Sequence, residues 1–416
     1  MLTREENDLL TRAGPGMPMG ELIRRYWERA LLASDLPRPD CPPRRVKLLG
    51  ERLVAFRSSD GKVGLVEERC PHRGASLFFG RNEENGLRCV YHGWKFDLEG
   101  RCVDMPSEPA QSNFKNKVRI TAYPCLERGG LVWTYMGPSA RQPGFPELEW
   151  ALVPESHRYV TRHVQESNWF QGLEGGFDSS HLSFLHRGDT AGGTRIVPDR
   201  YEAVAAGPGL LCATGRSAAG GEVSWGIEVM AMPFHKLITF QPGRPLGAHM
   251  WVPIDDENCM IYSIEYQPRR AVTREELDRS LEHRYIHAEN LPGSDRCVRN
   301  KDNDYLVDRA LQASGASYTG IRGFGIQDCG IQESMGPICD RTREHLGTSD
   351  VHLIQLRRFM LRTLNTLREG GTLPAADPAD YRVRVANFTL PGGQAVDPTA
   401  RASVRPDPAD ACVTAD

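Results

Sequence analysis

Apolar and polar positions alternate in short runs between residues 45 and 135. "RVKLLG", "RLVAFRSSDGKVGLVEE" and "GGLVWTYMG" are rich in β-branched and aromatic residues, and "SSDG" is a hairpin signal. This predicts a small all-β domain. Ahead of it, Thr3 followed three residues later by Glu6 has the spacing of a helical capping box. "GPGMPMG" breaks that helix, and Gly14, Gly16 and Gly20 do not fit the G-x-G-x-x-G spacing of a nucleotide loop. The stretch 137–150, "GPSARQPGFPELEW", is rich in proline and marks a domain boundary. The expected division is 1–148, an N-terminal arm plus the β domain, and 149–416, a larger second domain.

Beyond the boundary the period changes. "ESNWFQGLEGGFDSSHLSFLH" reads as helical, and "SWGIEVMAMPF", "KLITF" and "HMWVPI" read as strands. "TREELDRSLEHRYIHAEN" is a capped helix. "DVHLIQLRRFMLRTLNTLREGG" places Leu353, Leu356, Met360, Leu361 and Leu364 on one stripe, with Gly370 to end it. The tail from 371, rich in Pro, Ala and Asp, is expected to be extended. The fold class is therefore α+β, with an antiparallel sheet and helices packed on it in the second domain.

Composition narrows the function classes. The chain has 416 residues, 40% hydrophobic and 25% charged, the make-up of a globular protein. A net charge of -3 leaves no basic excess for phosphates, which argues against nucleic acid as a partner. The N-terminal "LTREENDLLTRAG" is charged, and no segment reaches the ~18–20 apolar residues of a membrane span. The expectation is a cytoplasmic protein with no membrane partner. Eleven cysteines at irregular spacing argue against a disulfide framework.

Two of those cysteines are paired with histidines. "RCPHRGASL" and "RCVYHGWKF" form the pattern C-x-H-x16-C-x2-H, from Cys70, His72, Cys89 and His92. Two thiolates and two imidazoles suit a structural zinc or an iron–sulfur cluster. Each loop supplies one Cys and one His and runs into glycine, which suits two loops clasping a two-iron rhomb. "CPHRGASL…CVYHGWKFD" resembles the Rieske motif of ring-hydroxylating oxygenase large subunits. Ala75 and Tyr91 stand where respiratory Rieske proteins carry an extra cysteine in each loop. The resemblance implies a [2Fe–2S] cluster held by Cys70, His72, Cys89 and His92.

A second constellation follows in "EGGFDSSHLSFLH", with Glu174, Asp178, His181 and His186. Asp178 and His181 are neighbours on a helix, but His181 and His186 lie about 140° apart on an ideal one. A helix that brings both imidazoles together must tighten, bulge or end between them. D-x2-H-x4-H resembles the mononuclear iron motif of the same oxygenase family, and the overall likeness is to its phthalate 4,5-dioxygenase-like branch. That likeness implies a mononuclear non-haem Fe(II) held by His181, His186 and a distant carboxylate. Asp328, five residues before Glu333, has the family spacing in "GIQDCGIQESMGPICDRTREHLG". Asp340 and Asp350 are the rivals, and Asp340 beside Arg341 reads as an ion pair. Asp178 would link His181 to His92 of the partner subunit across a head-to-tail homotrimer.

The likeness covers nearly the whole chain, including "NWFQGLEGG" and "NDYLVDRALQ". It implies O2-dependent hydroxylation of an aromatic, carboxylated substrate. Monooxygenation or O-demethylation would use the same ligands. No flavin or nicotinamide fingerprint is present. Electrons would therefore come from a separate NAD(P)H-dependent reductase carrying flavin and a ferredoxin-type cluster. A substrate carboxylate would suit arginine, and Arg216 and Arg244 are the candidates. The alternatives from other classes are a Rieske electron carrier and a zinc-stabilised binding module.

Overall fold

The computed structural model describes residues 1–187, 197–238, 245–282, 286–384 and 387–398. Its chain forms two compact units. One comprises Met1–Arg12, Met17–Met19 and the chain from Gly144 onward; the other comprises Ala13–Gly16 and Gly20–Pro143.

The smaller unit consists of three antiparallel sheets. Trp27–Leu32, Leu131–Tyr135 and Cys125–Arg128 make the first. Arg44–Leu48, Glu51–Arg57, Val63–Glu67 and Ala122–Tyr123 make the second. Its hairpin turns at the sequence Ser58–Gly61, where Gly61 takes φ +88°. Arg81–Glu83, Gly86–Arg88, Lys95–Phe96 and Cys102–Asp104 make the third. Val54, Phe56, Leu77, Leu87, Trp94 and Phe96 pack between sheets, and the thiols of Cys70 and Cys89 lie in the same core.

The larger unit is built on an eight-stranded antiparallel sheet. Its strands are β1 (Arg158–Gln165), β2 (Arg200–Ala206), β3 (Gly209–Ser217), β4 (Glu222–Ala231), β5 (His235–Ile238), β6 (Leu246–Pro253), β7 (Cys259–Tyr266) and β8 (Asn387–Pro391). Their order is β1-β7-β6-β5-β4-β3-β2, and β8 pairs with the far half of β4. The helices α1 (Arg4–Thr11), α2 (Trp169–Phe177), α3 (Phe324–Ser334) and α4 (Val351–Arg368) complete this layer. α2 packs on β6 and α3, and α4 packs on β2.

Local chemistry explains the helix ends. Thr3 and Glu6 form the reciprocal capping box of α1, at 3.1 Å and 2.8 Å. Thr273 and Glu276 do the same at the start of helix Arg274–Glu282. Gly370, at φ +73°, closes α4.

Two expectations need correction. The buried face of α4 takes in His352, Arg357, Phe359 and Thr363 beside Leu356, Met360 and Leu364, while Leu353 and Leu361 are only half-buried. The reason is that α4 meets polar partners as well as apolar ones. The tail is not merely extended, because β8 joins the sheet and Tyr381 is buried with its hydroxyl donating to the Met232 carbonyl at 2.9 Å. Phe388 and Leu390 alternate with Asn387 and Thr389 in β8, which buries Leu390 while the backbone pairs with β4.

Candidate functional site

In the smaller unit two loops share one hydrogen-bond plan. The amide of Cys70 donates to the Ala75 carbonyl (2.9 Å) and Gly74 N–H returns to the Cys70 carbonyl (2.8 Å). Cys89 donates to Trp94 (2.8 Å) and Gly93 returns to Cys89 (2.9 Å) in the same way. Gly74 and Gly93 sit at φ +75° and +79°, which a side chain at either position would strain. Both thiols are buried, whereas His72 is exposed and His92 half-exposed. The two imidazoles lie 4.4 Å apart, and Trp94 stacks on His72 at 4.5 Å. Burial, with the neighbouring Cys89 thiol adding to it, pushes Cys70 up to about 11. Such thiols ionise only against a strong cationic partner. Two buried sulfurs behind two surface imidazoles are a donor set that fits a two-iron cluster with unlike ends.

In the larger unit the second constellation converges. α2 begins at Asn168, whose side chain accepts from Phe170 N–H at 3.0 Å, and ends at Phe177. The chain then takes a tighter turn, His181–Ser183, so the helix ends before the two histidines, one of the ways they can meet. Nε2 of His181 lies 3.1 Å from Nε2 of His186. Oδ1 of Asp328, on α3, lies 3.4 Å from the first and 3.3 Å from the second. These three ligand-type groups form the one such cluster among the described residues, with their atoms within 4.8 Å. The triangle is small enough for a single ion to touch all three corners, and two imidazoles with one carboxylate fit ferrous iron.

Electrostatics follow the geometry. Burial alone would raise the Asp328 carboxyl, but the imidazoles of His186 and His181 hold it well below the usual range. Burial opposes protonation of His181, yet Asp328 and Asp178 outweigh it and raise its pKa. Phe324 stacks on His186 at 3.5 Å, and Gln327 Oε1 lies 2.8 Å from its Nδ1. Asp178 caps α2; its Oδ1 accepts from Ser180 N–H at 2.8 Å, and its Oδ2 faces His181 Nδ1 at 3.7 Å.

The close approach of α2 to the sheet depends on missing side chains. A Cβ on Gly172 would lie 2.1 Å from Trp251 Cδ1, and one on Gly176 2.6 Å from the same indole. α3 is held from its other side. Asp304, Tyr305 and Leu306 are three consecutive non-glycine residues at φ 50–55°. This costly turn lays Tyr305 against Gly330, and its hydroxyl donates to Glu333 at 2.5 Å.

Beside the triad lies a cavity of about 70 Å³ with an open mouth. Trp251, Ile238, Ile261 and Phe324 give it apolar walls; His163, His249 and Lys236 give it polar ones. Arg216, half-exposed on β3, is not among its lining residues, and Arg244 lies outside the described residues. Asp340 is solvent-facing and accepts from the Thr342 hydroxyl at 2.6 Å, and Asp350 accepts from Gly347 N–H at 2.6 Å. Arg341 does not pair with Asp340. It is fully buried on Glu174 at 2.6 Å, and Arg357 takes the other Glu174 oxygen at 2.6 Å. Glu174 thus belongs to an ion-pair network. Gln327 and Lys236 were missed in the sequence, although a lysine inside the apolar run "FHKLITF" was a signal.

The smaller unit's sequence matches the model of the Rieske [2Fe-2S] domain over residues 26–124. Residues 134–201 and 230–391 match a model described as LigXa C-terminal domain like. The chain is 39% identical to the 3-chlorobenzoate-3,4-dioxygenase oxygenase subunit of Comamonas testosteroni, over 91% of this chain and 93% of that one. It is 38% identical to the phthalate 4,5-dioxygenase oxygenase subunit of Pseudomonas putida, over 93% and 92%. The solved structure of NdmA from Pseudomonas putida CBB5 shares the fold at a TM-score of 0.60 and 19% identity, covering 91% of this chain and 100% of that one. No helix among the described residues is long and apolar enough to cross a membrane. With both family models matched and such relatives spanning nearly its whole length, the chain belongs to the Rieske-type aromatic ring-hydroxylating oxygenases, as the oxygenase alpha subunit.

Proposed function

We propose that this subunit hydroxylates a carboxylated, phthalate-like or benzoate-like aromatic ring, using O2 and electrons from a separate NAD(P)H-dependent reductase. The observation that carries the reading is the convergence of His181, His186 and Asp328 on one point at the edge of a cavity walled by Trp251, Ile238, Ile261 and Phe324. The relatives named for 3-chlorobenzoate and phthalate support the substrate class.

Cys70, Cys89, His72 and His92 would hold the cluster, and His181, His186 and Asp328 the mononuclear iron. The cluster supplies electrons one at a time, and the iron supplies the redox chemistry of O2 activation. The chain's own part is positioning. Asp328 stays ionised, so it offers an oxygen without first losing a proton. Gln327 and Phe324 hold His186 in plane, and the Gly172–Trp251 contact sets the distance from α2 to the cavity wall. Trp251, Ile238 and Ile261 line the space for a flat apolar ring and keep water from its faces. Asp178, at the end of α2, would accept a hydrogen bond from His181 Nδ1 and from His92 of the partner subunit in a head-to-tail homotrimer.

The test is product analysis of anaerobically purified protein, loaded with both metals and supplied with a surrogate reductase, NADH and O2. Benzoates, phthalates and methoxybenzoates are offered in parallel. The expected result is an O2-dependent hydroxylated ring product. Formaldehyde from the methoxybenzoates alone would assign O-demethylation, and no oxygenated product from any ring would overturn the proposal.

A further inference from the structure

The cavity contains a charged group that the triad does not use. Lys236 on β5 stands directly opposite His249 on β6, and both line the cavity beside Asp328. Lys236 is only 8% exposed. An ammonium has three donors. One goes to the Gly176 carbonyl at the end of α2, and another to Glu228 Oε1 at 3.1 Å. One donor remains. His249 bonds Ser263 Oγ through Nδ1 at 3.3 Å. Burial holds this imidazole down to about 3, so it stays neutral at physiological pH. In the tautomer in which the Ser263 hydroxyl donates to Nδ1, the ring proton sits on Nε2.

In that tautomer lysine and imidazole present two N–H donors from adjacent strands. On the same face of the sheet Trp251 and Ile261 lie beside them, and Phe324 of α3 adds further apolar surface for a ring. A buried charge is expensive, and Glu228 offsets this one only from a diagonal position one strand away. An anion entering the cavity meets an ammonium whose third donor is unclaimed by any oxygen among the described residues.

We propose that Lys236, with His249 beside it, anchors the carboxylate of the aromatic substrate, and that Glu228 occupies the ammonium when the cavity is empty. This rests on the oxygenase reading above and deepens it: the cation on the cavity wall is a lysine of the sheet. The substrate carboxylate takes the third ammonium donor and the imidazole N–H, and it meets there the negative charge of Glu228 on the same ammonium. Glu228, one-fifth exposed, relaxes toward solvent.

The experiment is calorimetric titration of the metal-loaded, anaerobic protein with 3-chlorobenzoate and with its neutral isostere 3-chlorobenzamide. The wild type is expected to favour the carboxylate by about tenfold or more. Lys236→Met should weaken carboxylate binding about 30-fold or more and leave the amide within about threefold. Glu228→Gln removes the like charge that shares the ammonium and should tighten 3-chlorobenzoate about fivefold, with the amide unchanged. It also carries the test if Lys236→Met fails to fold, since unaltered carboxylate affinity in Glu228→Gln would overturn the anchor. Equal wild-type affinity for the two ligands, or no binding of the carboxylate, would do the same. Ring oxygenation assayed alongside separates the two ideas. Turnover of the amide without carboxylate preference sinks only the anchor, whereas absence of any oxygenated ring product sinks the oxygenase assignment.

Discussion

Gln327 Oε1 meets His186 Nδ1 at 2.8 Å while its Nε2 donates to the Ile321 carbonyl at 2.8 Å. The second contact settles the first. A carbonyl oxygen cannot donate, so the amide nitrogen must face Ile321 and the oxygen must face the ring. His186 Nδ1 therefore carries the proton, and the lone pair of Nε2 points at His181 and Asp328. Gln327→Leu should lower the affinity for mononuclear iron about 10–100-fold while the cluster chromophore persists. Iron content after dialysis against a chelator, with cluster absorbance as the internal control, measures this.

Replacing Asp328 should empty the mononuclear site. In Asp328→Ala the two imidazoles lose their shared anionic partner, 3.3 Å and 3.4 Å away. Metal analysis should find the cluster's iron retained and the mononuclear iron missing, with turnover lost. Asp340→Ala, on the surface and bonded to Thr342, should keep both metals and lose under about 0.5 kcal/mol of stability.

Asp178→Asn isolates charge from shape. The amide oxygen of Asn still accepts the Ser180 N–H, so the turn after α2 is preserved. The carboxylate facing His181 Nδ1 at 3.7 Å is lost. Both metals should remain bound, and turnover with NADH and reductase should fall about 10–100-fold. Single-turnover measurements starting from the reduced cluster check whether the loss lies in electron delivery.

Glu174→Gln should destabilise the larger unit by about 3–5 kcal/mol, because it leaves Arg341 buried without its anion. Burial raises the Glu174 carboxyl, but Arg341 and Arg357 outweigh it and the net shift is downward. A carboxyl depressed in the folded state stabilises above its unfolded value of about 4.3 and loses that contribution as pH falls through the folded value. Urea midpoints measured from pH 7 to pH 3 should therefore fall more steeply below pH ~4 in the wild type than in Glu174→Gln.

What the sequence made legible was local or periodic. The capping boxes at Thr3 and Thr273, the Ser58–Gly61 hairpin and the strands through Trp225, Leu237 and Trp251 all depend on neighbours within a few residues. The cluster loops were legible because Cys and His are rare and their spacing is short. The pairing of Arg341 with Glu174 spans 167 positions, so the adjacent Asp340 looked the better partner. β8 alternates Phe388 and Leu390 with Asn387 and Thr389, but a run of five residues inside a tail rich in Pro and Ala is too short to stand out, and its partner β4 lies far back in the chain. Gln327 looked like any polar helix residue, since its role appears only when His186, 141 positions away, folds against it. Of the two arginines expected for a substrate carboxylate, Arg216 does not line the cavity and Arg244 lies outside the described residues, while Lys236 does line it.

The contact between Gly172 and the Trp251 indole has a meaning for how such an enzyme can diversify. With no slack between α2 and the sheet, a bulkier ring cannot be accommodated by backing the helix away without moving His181 as well. Room must be won by trimming side chains elsewhere, at Ile238, Ile261 or Phe324. One side of the chamber is thus closed to evolutionary tinkering, and selectivity is free to drift along the rest.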